Sequence, residues 1–433
     1  MARRVVLVLV AALCSPALGS AQSTKLGLLI PSIYGPNGLK VDSDALLPDG
    51  STHSAHFNAS FQSEFGQFNV AFATQLITVP FPSPASGYTY HFDESLGVFA
   101  RSTQSFGPIL TDRAETIGKG KFTFGFTYQN YNFDEMEGVP LDSIPAVFTH
   151  DDFQKGGGRS DVVITQNQIH AEVSRFIAFL SYGVTDRFDI SAAIPVVDTK
   201  LSAVSNATID RIGTSGNPLI HFYSESGGVV GNTRQYQVSG SATGLGDILL
   251  RLKGTAVKSG ATSLGLIADV RFPTGDEENL LGSGAWGVKP LLALSFGLGK
   301  VSPHINVGYQ WNGKSELAGD IATKTKADLP DQFIYAGGFD VGVTKAVTLV
   351  FDFLGQRVSE SPRFFEGTFT AADGTTLPNV GFKNGAFNLY DAAVGLKLNV
   401  VGRLLLDGNV IFKLNDAGLR DNVSPLVAFE YSF

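Results

Sequence analysis

From about Lys121 onward the chain repeats one plan: a segment in which apolar and polar residues alternate strictly, then a turn or a polar connection. Phe122, Phe124, Phe126 and Tyr128 make one face of such a segment, and Thr123, Gly125, Thr127 and Gln129 the other. Leu264, Leu266, Ala268, Val270 and Phe272 alternate with Ser263, Gly265, Ile267, Asp269 and Arg271, as do Ile305, Val307, Tyr309 and Trp311 with His304, Asn306, Gly308 and Gln310. A period of two belongs to the pleated strand, so the fold class is all-β. Strands are expected near 121–133, 161–184, 187–202, 245–257, 262–273, 286–298, 302–312, 333–343, 347–358, 385–398, 402–414 and 423–433, twelve in all. Short alternating pieces within 87–117, Tyr88, Tyr90 and Phe92 among them, raise the count to fourteen if they join the same sheet.

Connections near 185, 259, 300, 345 and 400 are short, whereas 134–160, 203–244, 274–285, 313–332, 359–384 and 415–422 are long. Strict alternation of short and long connections is the pattern of a transmembrane antiparallel β-barrel with tight periplasmic turns and generous outer loops. A soluble β-sandwich also alternates, but it buries its apolar face. Here the polar face carries Arg251, Lys253, Asp269, Arg271, Lys289, Asp340, Asp352, Asp391, Lys397, Asp407 and Lys413, interspersed with glycine and serine. Aromatic residues such as Trp286, Tyr309, Trp311, Tyr335, Phe412 and Tyr431 sit near strand ends, where interfacial girdles belong. The expected barrel spans 118–433, with Arg251, Lys253, Asp269, Arg271, Lys289, His304, Asn306, Gln310, Asp340, Asp352 and Asp407 as candidate lumen-lining residues. Asp269 falls opposite Arg251, or one pair diagonal to it, across the tight Lys258-Ser259-Gly260 turn; such a cross-strand pair contributes about 0.2–1 kcal/mol. Inward charges of this kind brace a lumen, and in an open pore they also set ion selectivity.

The compartment follows from other residues. Arg3 and Arg4, the apolar run Val5 to Leu13 and the small residues Gly19-Ser20-Ala21 have the three-part layout of a secretory signal peptide, so 1–21 is expected to be removed. Leu13, directly before Cys14, is not the small residue that a lipoprotein cleavage site needs. Without this tag the chain has no cysteine, and its formal charge of −8 falls to −10 with the loss of Arg3 and Arg4. Disulfides, thiolate metal sites and a nucleic-acid partner are therefore not expected. No later stretch is apolar for long enough to make a helical span, so any membrane crossing must be a closed barrel. In the last segment Val423, Pro425, Val427, Phe429, Tyr431 and Phe433 share one face. An aromatic end of this kind, here Phe429, Tyr431 and Phe433, resembles the signal read by the barrel-assembly machinery of the bacterial outer membrane, the expected location, with membrane lipid as the surrounding partner.

The segment before the barrel, 22–117, is expected to be an N-terminal plug or hatch. Phe61, Phe65, Phe68, Phe72, Leu76 and Val79 recur every three or four residues, the stripe of an amphipathic helix near 60–79 that Ser60 or Asn58 caps and Pro80 ends. Glu64 is its only charge, which suits a helix entering the lumen from the periplasmic side; docking on another periplasmic protein is the alternative. Phe61, Phe65, Phe68 and Phe72 are the candidate ligand path. The Gly- and Ser-rich stretch 214–244 is expected to be mobile.

Motifs that point to chemistry are weak. Gly308 to Ser315 satisfies the phosphate-loop pattern G-x-x-x-x-G-K-[ST], yet Tyr309 and Trp311 continue a strand instead of curling around a phosphate. The seven histidines show no metal-ligand spacing, so no metal and no cofactor are expected. His304 beside Asn306 could imitate part of a hydrolytic site, but no serine can be placed next to it, so an enzyme is not expected. Asp134, Glu135, Glu137, Asp142, Asp151 and Asp152 could take hard cations, with solvated loop charge as the bland reading.

Pro273-Thr274-Gly275-Asp276 followed by Asn279-Leu280-Leu281-Gly282-Ser283-Gly284 resembles a segment of a bacterial outer-membrane family named for the phenol meta-cleavage degradation pathway. Gly183 to Arg187, Gly246 to Lys253, Ser302 to Gly313 and Leu329-Pro330-Asp331 resemble that family's recurring segments in order, over about 85–433. The family is similar to outer-membrane transporters of fatty acids and aromatic hydrocarbons. The resemblance implies passive uptake of small hydrophobic or aromatic molecules past an N-terminal hatch; a general porin and a structural or surface-interaction barrel are the alternatives.

Overall fold

The computed structural model describes residues 25–35, 38–44, 46, 50, 70–72, 74–75, 78–83, 87–93, 98–101, 104–149, 161–224 and 230–433. Twelve antiparallel strands close into one barrel: β1 (Phe122–Phe133), β2 (Asp161–Thr185), β3 (Phe188–Arg211), β4 (Ile248–Ser259), β5 (Thr262–Phe272), β6 (Gly287–Phe296), β7 (Val301–Asn312), β8 (Gln332–Gly342), β9 (Val347–Thr370), β10 (Thr376–Val401), β11 (Leu404–Lys413) and β12 (Val423–Ser432). Each pairs with its neighbours in sequence, and β12 pairs with β1 to complete the ring. The shortest, such as β11 and β12, have 10 residues, the length a tilted strand needs to cross a bilayer.

The two faces of the wall are sorted as the alternation requires. Leu266, Leu292, Ile305, Trp311, Val427 and Phe429 are exposed on the outside, whereas Arg251, Asp269, His304, Asn306, Asp340 and Lys397 are buried within. Aromatic rings ring both ends: Phe272 packs on Trp286 at 4.8 Å and Tyr309 on Trp311 at 5.2 Å at the end with long connections. Phe122 and Phe433, 5.7 Å apart, mark the end with tight turns. An apolar belt between aromatic girdles around a closed, edge-free sheet is the form that spans the bacterial outer membrane. No helix among the described residues is long and apolar enough to cross.

The wall does not gain two strands from 87–117. Tyr90–Asp93 and Val98–Arg101 pair only with each other, so twelve stands and the fourteen-strand alternative is set aside. The long connections are more regular than expected. Strands β9 and β10 continue as a paired hairpin to a turn at 371–375, and Thr233–Leu245 pairs along the far half of β3. The expected mobility of 214–244 thus gives way, over 233–245, to a continuous ladder; residues 225–229 lie outside the described set. Ile144–Thr149 extends the wall beside β2 in the same manner. The acidic first loop is partly paired: Glu137 binds Arg363 and Glu135 binds Lys413.

Described stretches of the chain before β1 lie along the inner face of the wall. Residues 104–118 lie against inward side chains of the wall, and Gln356 Nε2 and Gln129 Nε2 hold Thr78 O and Pro80 O at 2.7 and 3.1 Å. Val70–Phe72, Thr74, Gln75 and Thr78 are helical and Pro80 comes two residues after Thr78; the rest of the expected helix near 60–79 lies outside the described residues. Phe61, Phe65, Phe68 and the expected signal peptide lie outside the described residues. The segment reaches farther than an entry from the tight-turn side requires, because Leu26–Leu29, 30–35 and 38–44 sit at the long-connection end. There Asp42 and Phe222 exchange backbone hydrogen bonds, and the Tyr34 hydroxyl meets Ser205 at 2.8 Å. Burial pushes the Tyr34 phenol up to about 12, so it remains a neutral hydrogen-bonding group.

Candidate functional site

Seen from the wall, the middle of the lumen is an array of groups aimed at one segment. Leu110 N–H and Thr111 Oγ1 donate to Asp352 on β9 at 3.2 and 2.6 Å. Asp112 and Asn306 on β7 exchange two bonds of 2.7 Å, side-chain amide to backbone carbonyl and backbone N–H to side-chain carbonyl. Ala114 N–H donates to Ser295 on β6, Thr255 on β4 donates to Ala114 O, and Ile117 N–H donates to Asp189 on β3, each at 2.8 Å. A backbone without partners of its own cannot be buried without cost, and here the wall supplies them. Gly265 makes room: a Cβ there would stand 2.9 Å from Ala114 Cα.

The charges are organised around Arg251. Its guanidinium donates two bonds to Asp269, directly opposite on β5, at 2.7 and 2.8 Å, and one to Asp112 of the interior segment at 2.6 Å. Lys289 on β6 lies 3.1 Å from Asp269. The sequence-level pairing of Arg251 with Asp269 is thus present, with a third member, Asp112, that alternation could not locate because it belongs to no wall strand. His304 faces acceptors with both ring nitrogens, Asp352 at 3.1 Å on one side and Ser302 O at 3.2 Å on the other, with Asp340 3.6 Å away. Lys253 is buried near the tight-turn end, and Lys397 stands 3.8 Å from Asp407. All eleven candidate lumen residues lie on the inner face: Asp269, Lys289 and Asn306 stand with Arg251 and Asp112; Asp340 and Asp352 stand with His304, and Asp407 with Lys397; Arg271 and Gln310 meet at Asn312, and Lys253 stands apart from these groups.

Between the interior segment and the wall is a cavity of about 180 Å³. Val79, Pro80, Phe81 and Leu110 line it from the interior, Val197, Leu249, Leu291, Ile334 and Leu354 from the wall. Arg175, Arg251, Arg271 and Lys289 form its cationic arc, with Asp112, Asp247 and Asp269. One further boundary is the 273–286 connection, which folds inward. Asp247 accepts from Gly275 N–H at 3.1 Å and from Ser283 N–H and Oγ at 2.8 and 2.5 Å, and Thr199 holds Leu280 O at 3.1 Å. Its bend requires glycine at 275, where a Cβ would stand 2.7 Å from Gly282 Cα. Leu281, Gly282 and Ser283 are thereby presented to the cavity.

Of the expected ligand path, Phe72 is described, and it does not line this cavity; it packs edge-on against Phe133 at 5.8 Å in the apolar cluster near the long connections. The aromatic ring at the cavity is Phe81, one residue past Pro80 and edge-on to Phe179 at 5.8 Å. Arg175 was also not singled out by sequence; its signal was its place between the outward Phe176 and the partly buried Ser174 on an alternating strand. Gly308 to Asn312 lies in β7 and Lys314–Asp320 is again a strand, so the phosphate-loop pattern has neither curl nor helix here. No cluster of metal-binding side chains occurs among the described residues.

Residues 150–349 match the family described as "Putative MetA-pathway of phenol degradation". No curated protein matches the chain. Among solved structures, an outer membrane channel from Pseudomonas putida F1 is similar over 75% of this chain and 99% of its own, with 13% identity and a TM-score of 0.44. A FadL homologue of Pseudomonas aeruginosa is similar over 73% and 89%, with 10% identity and a TM-score of 0.30. The monoaromatic hydrocarbon channel CymD covers the same shares at 12% identity and a TM-score of 0.26.

Proposed function

We propose that this outer-membrane barrel is a channel for passive uptake of small hydrophobic or aromatic molecules, with 22–117 as its hatch. The observation that carries the reading is the lumen cavity of about 180 Å³, walled on one side by Phe81, Leu110, Leu249 and Leu354. A cavity of about 150 Å³ lined by apolar side chains holds one benzene molecule, so this one suits a solute of one ring. The bonds of residues 110–117 to inward side chains of β3, β4, β6, β7 and β9 support a restricted path over a general porin. The family description, a pathway of phenol degradation, fits an aromatic solute. No chemical step is assigned to His304; its neighbours are carboxylates and a backbone carbonyl.

Uptake into proteoliposomes across solutes of graded polarity tests the reading. Saturable entry of one-ring solutes, with slow entry of sugars of the same mass, is the expected result. A large ohmic conductance with no preference for aromatic solutes would favour the porin instead. Removing 22–82 is expected to raise single-channel conductance, and an unchanged value would remove the hatch.

A further inference from the structure

Three of the four cationic side chains at the cavity are balanced. Arg251 has Asp112 and Asp269, Lys289 has Asp269, and Arg271 has Asp247 at 3.7 Å. Arg175 is the exception: among the described residues no carboxylate stands within ion-pair distance of it. It is 8% exposed, and its Nε and Nη2 are buried without a hydrogen-bond partner. Its guanidinium lies over the Tyr131 ring at 5.4 Å, which orders the head group without neutralising it. Gln129, opposite on β1, turns its amide nitrogen to Pro80 O and the Tyr131 hydroxyl; even with its oxygen swung toward Arg175 it would offer a neutral acceptor. An arginine stays charged in a protein, so one buried positive charge is left at the edge of a largely apolar cavity.

We infer that the solute of this channel is amphipathic: a single aromatic ring bearing one anionic group, with a carboxylate held by Arg175 and the ring against Phe81 and Leu249. The inference rests on the proposed transport role and narrows its solute. A carboxylate accepts two parallel bonds from a guanidinium, and the donors now without partners are Nε and Nη2, the pair that makes such a fork. The other three cationic side chains at this cavity find their counter-charges within the protein. At Arg175 the missing partner is the ligand's.

Calorimetric titration of the full barrel in detergent with sodium benzoate, benzyl alcohol and sodium acetate tests this. Benzoate should bind the wild type more tightly than the other two, and Arg175→Met should weaken benzoate by about tenfold or more while leaving benzyl alcohol unchanged. Arg175→Lys should fall between, since a point charge replaces the fork. Arg175→Met should also raise the urea midpoint of the unliganded barrel, because an uncompensated buried charge is removed; a merely structural arginine would lower it. Should the variant fail to fold, the preference of the wild type between benzoate and benzyl alcohol decides alone. Equal binding of those two, or acetate binding as tight as benzoate, would overturn the anionic-ring assignment and leave the aromatic channel standing. Absence of binding by both ring compounds would overturn the transport reading with it.

Discussion

In the half of the lumen nearer the tight turns, Asp189, Arg251, Asn306 and Asp352 bind the interior segment through charged and amide groups. In the half toward the long connections, Leu26, Ile30, Leu39, Phe72, Phe148, Val163, Leu201 and Phe364 make one apolar cluster. The first half lies within the membrane belt, where the outside is already apolar and only the inside can supply specificity. The second stands beyond the belt, with water on its outer side, and it is built like the core of a soluble protein. One continuous sheet thus changes from an inside-out to an ordinary protein along its own strands.

Substitutions can break that comparison. Arg251→Leu should cost the most, about 3–5 kcal/mol in reversible urea unfolding from lipid vesicles, because two buried carboxylates lose their partner. An effect below about 1 kcal/mol would mean that the polar half is wet enough to tolerate the loss. Leu39→Ala in the apolar half should cost about 2–5 kcal/mol, the usual result of an unfilled core position. Tyr34→Phe should cost about 1 kcal/mol by removing the hydroxyl's bond to Ser205 inside that apolar half. The smallest effect is expected of Glu278, whose hydrogen bonds to Lys324 and Lys25 hold its carboxyl below the usual glutamate range. Its contribution is present above the unfolded value of 4.5 and fades as pH falls through the lower folded value. The hydrogen-exchange protection factors of residues 25–30, corrected for the intrinsic pH dependence of amide exchange, should therefore fall between pH 6 and pH 3, and unchanged protection would place their anchorage entirely in the apolar cluster.

What could be read from sequence follows the same division. Within the belt every strand has lipid on one side, so alternation is sharp; the twelve wall strands and the Arg251–Asp269 pair were legible. Beyond the belt the signal fades. Thr233–Leu245 has Gln235, Gln237, Ser239 and Ser241 on one face and, on the other, only Tyr236, Val238 and Ala242 to pack on the core, broken by Arg234 and Gly240, so it resembles a loop although it is hydrogen-bonded throughout. Phe81 and Arg175 were missed for different reasons. Phe81 lies past the proline that ends the helical stripe, and Arg175 becomes conspicuous only when its missing counter-charge is known, a fact of three dimensions. The 273–286 motif was visible as a resemblance, but its inward fold depends on Asp247, which stands before β4 and contacts it across space.

The ring is sealed where β12 meets β1, with Phe429 against Phe126 on its outer surface at 5.1 Å. The polypeptide inside is bonded to β1 at that seam and, around the circumference, to β3, β4, β6, β7 and β9. Once the first and last staves have joined, no doorway remains for a stretch of chain to be drawn in sideways. What remains is entry along the axis or closure of the wall around it, and once seated its bonds to β1 and to β9 tie the seam to the far side of the ring.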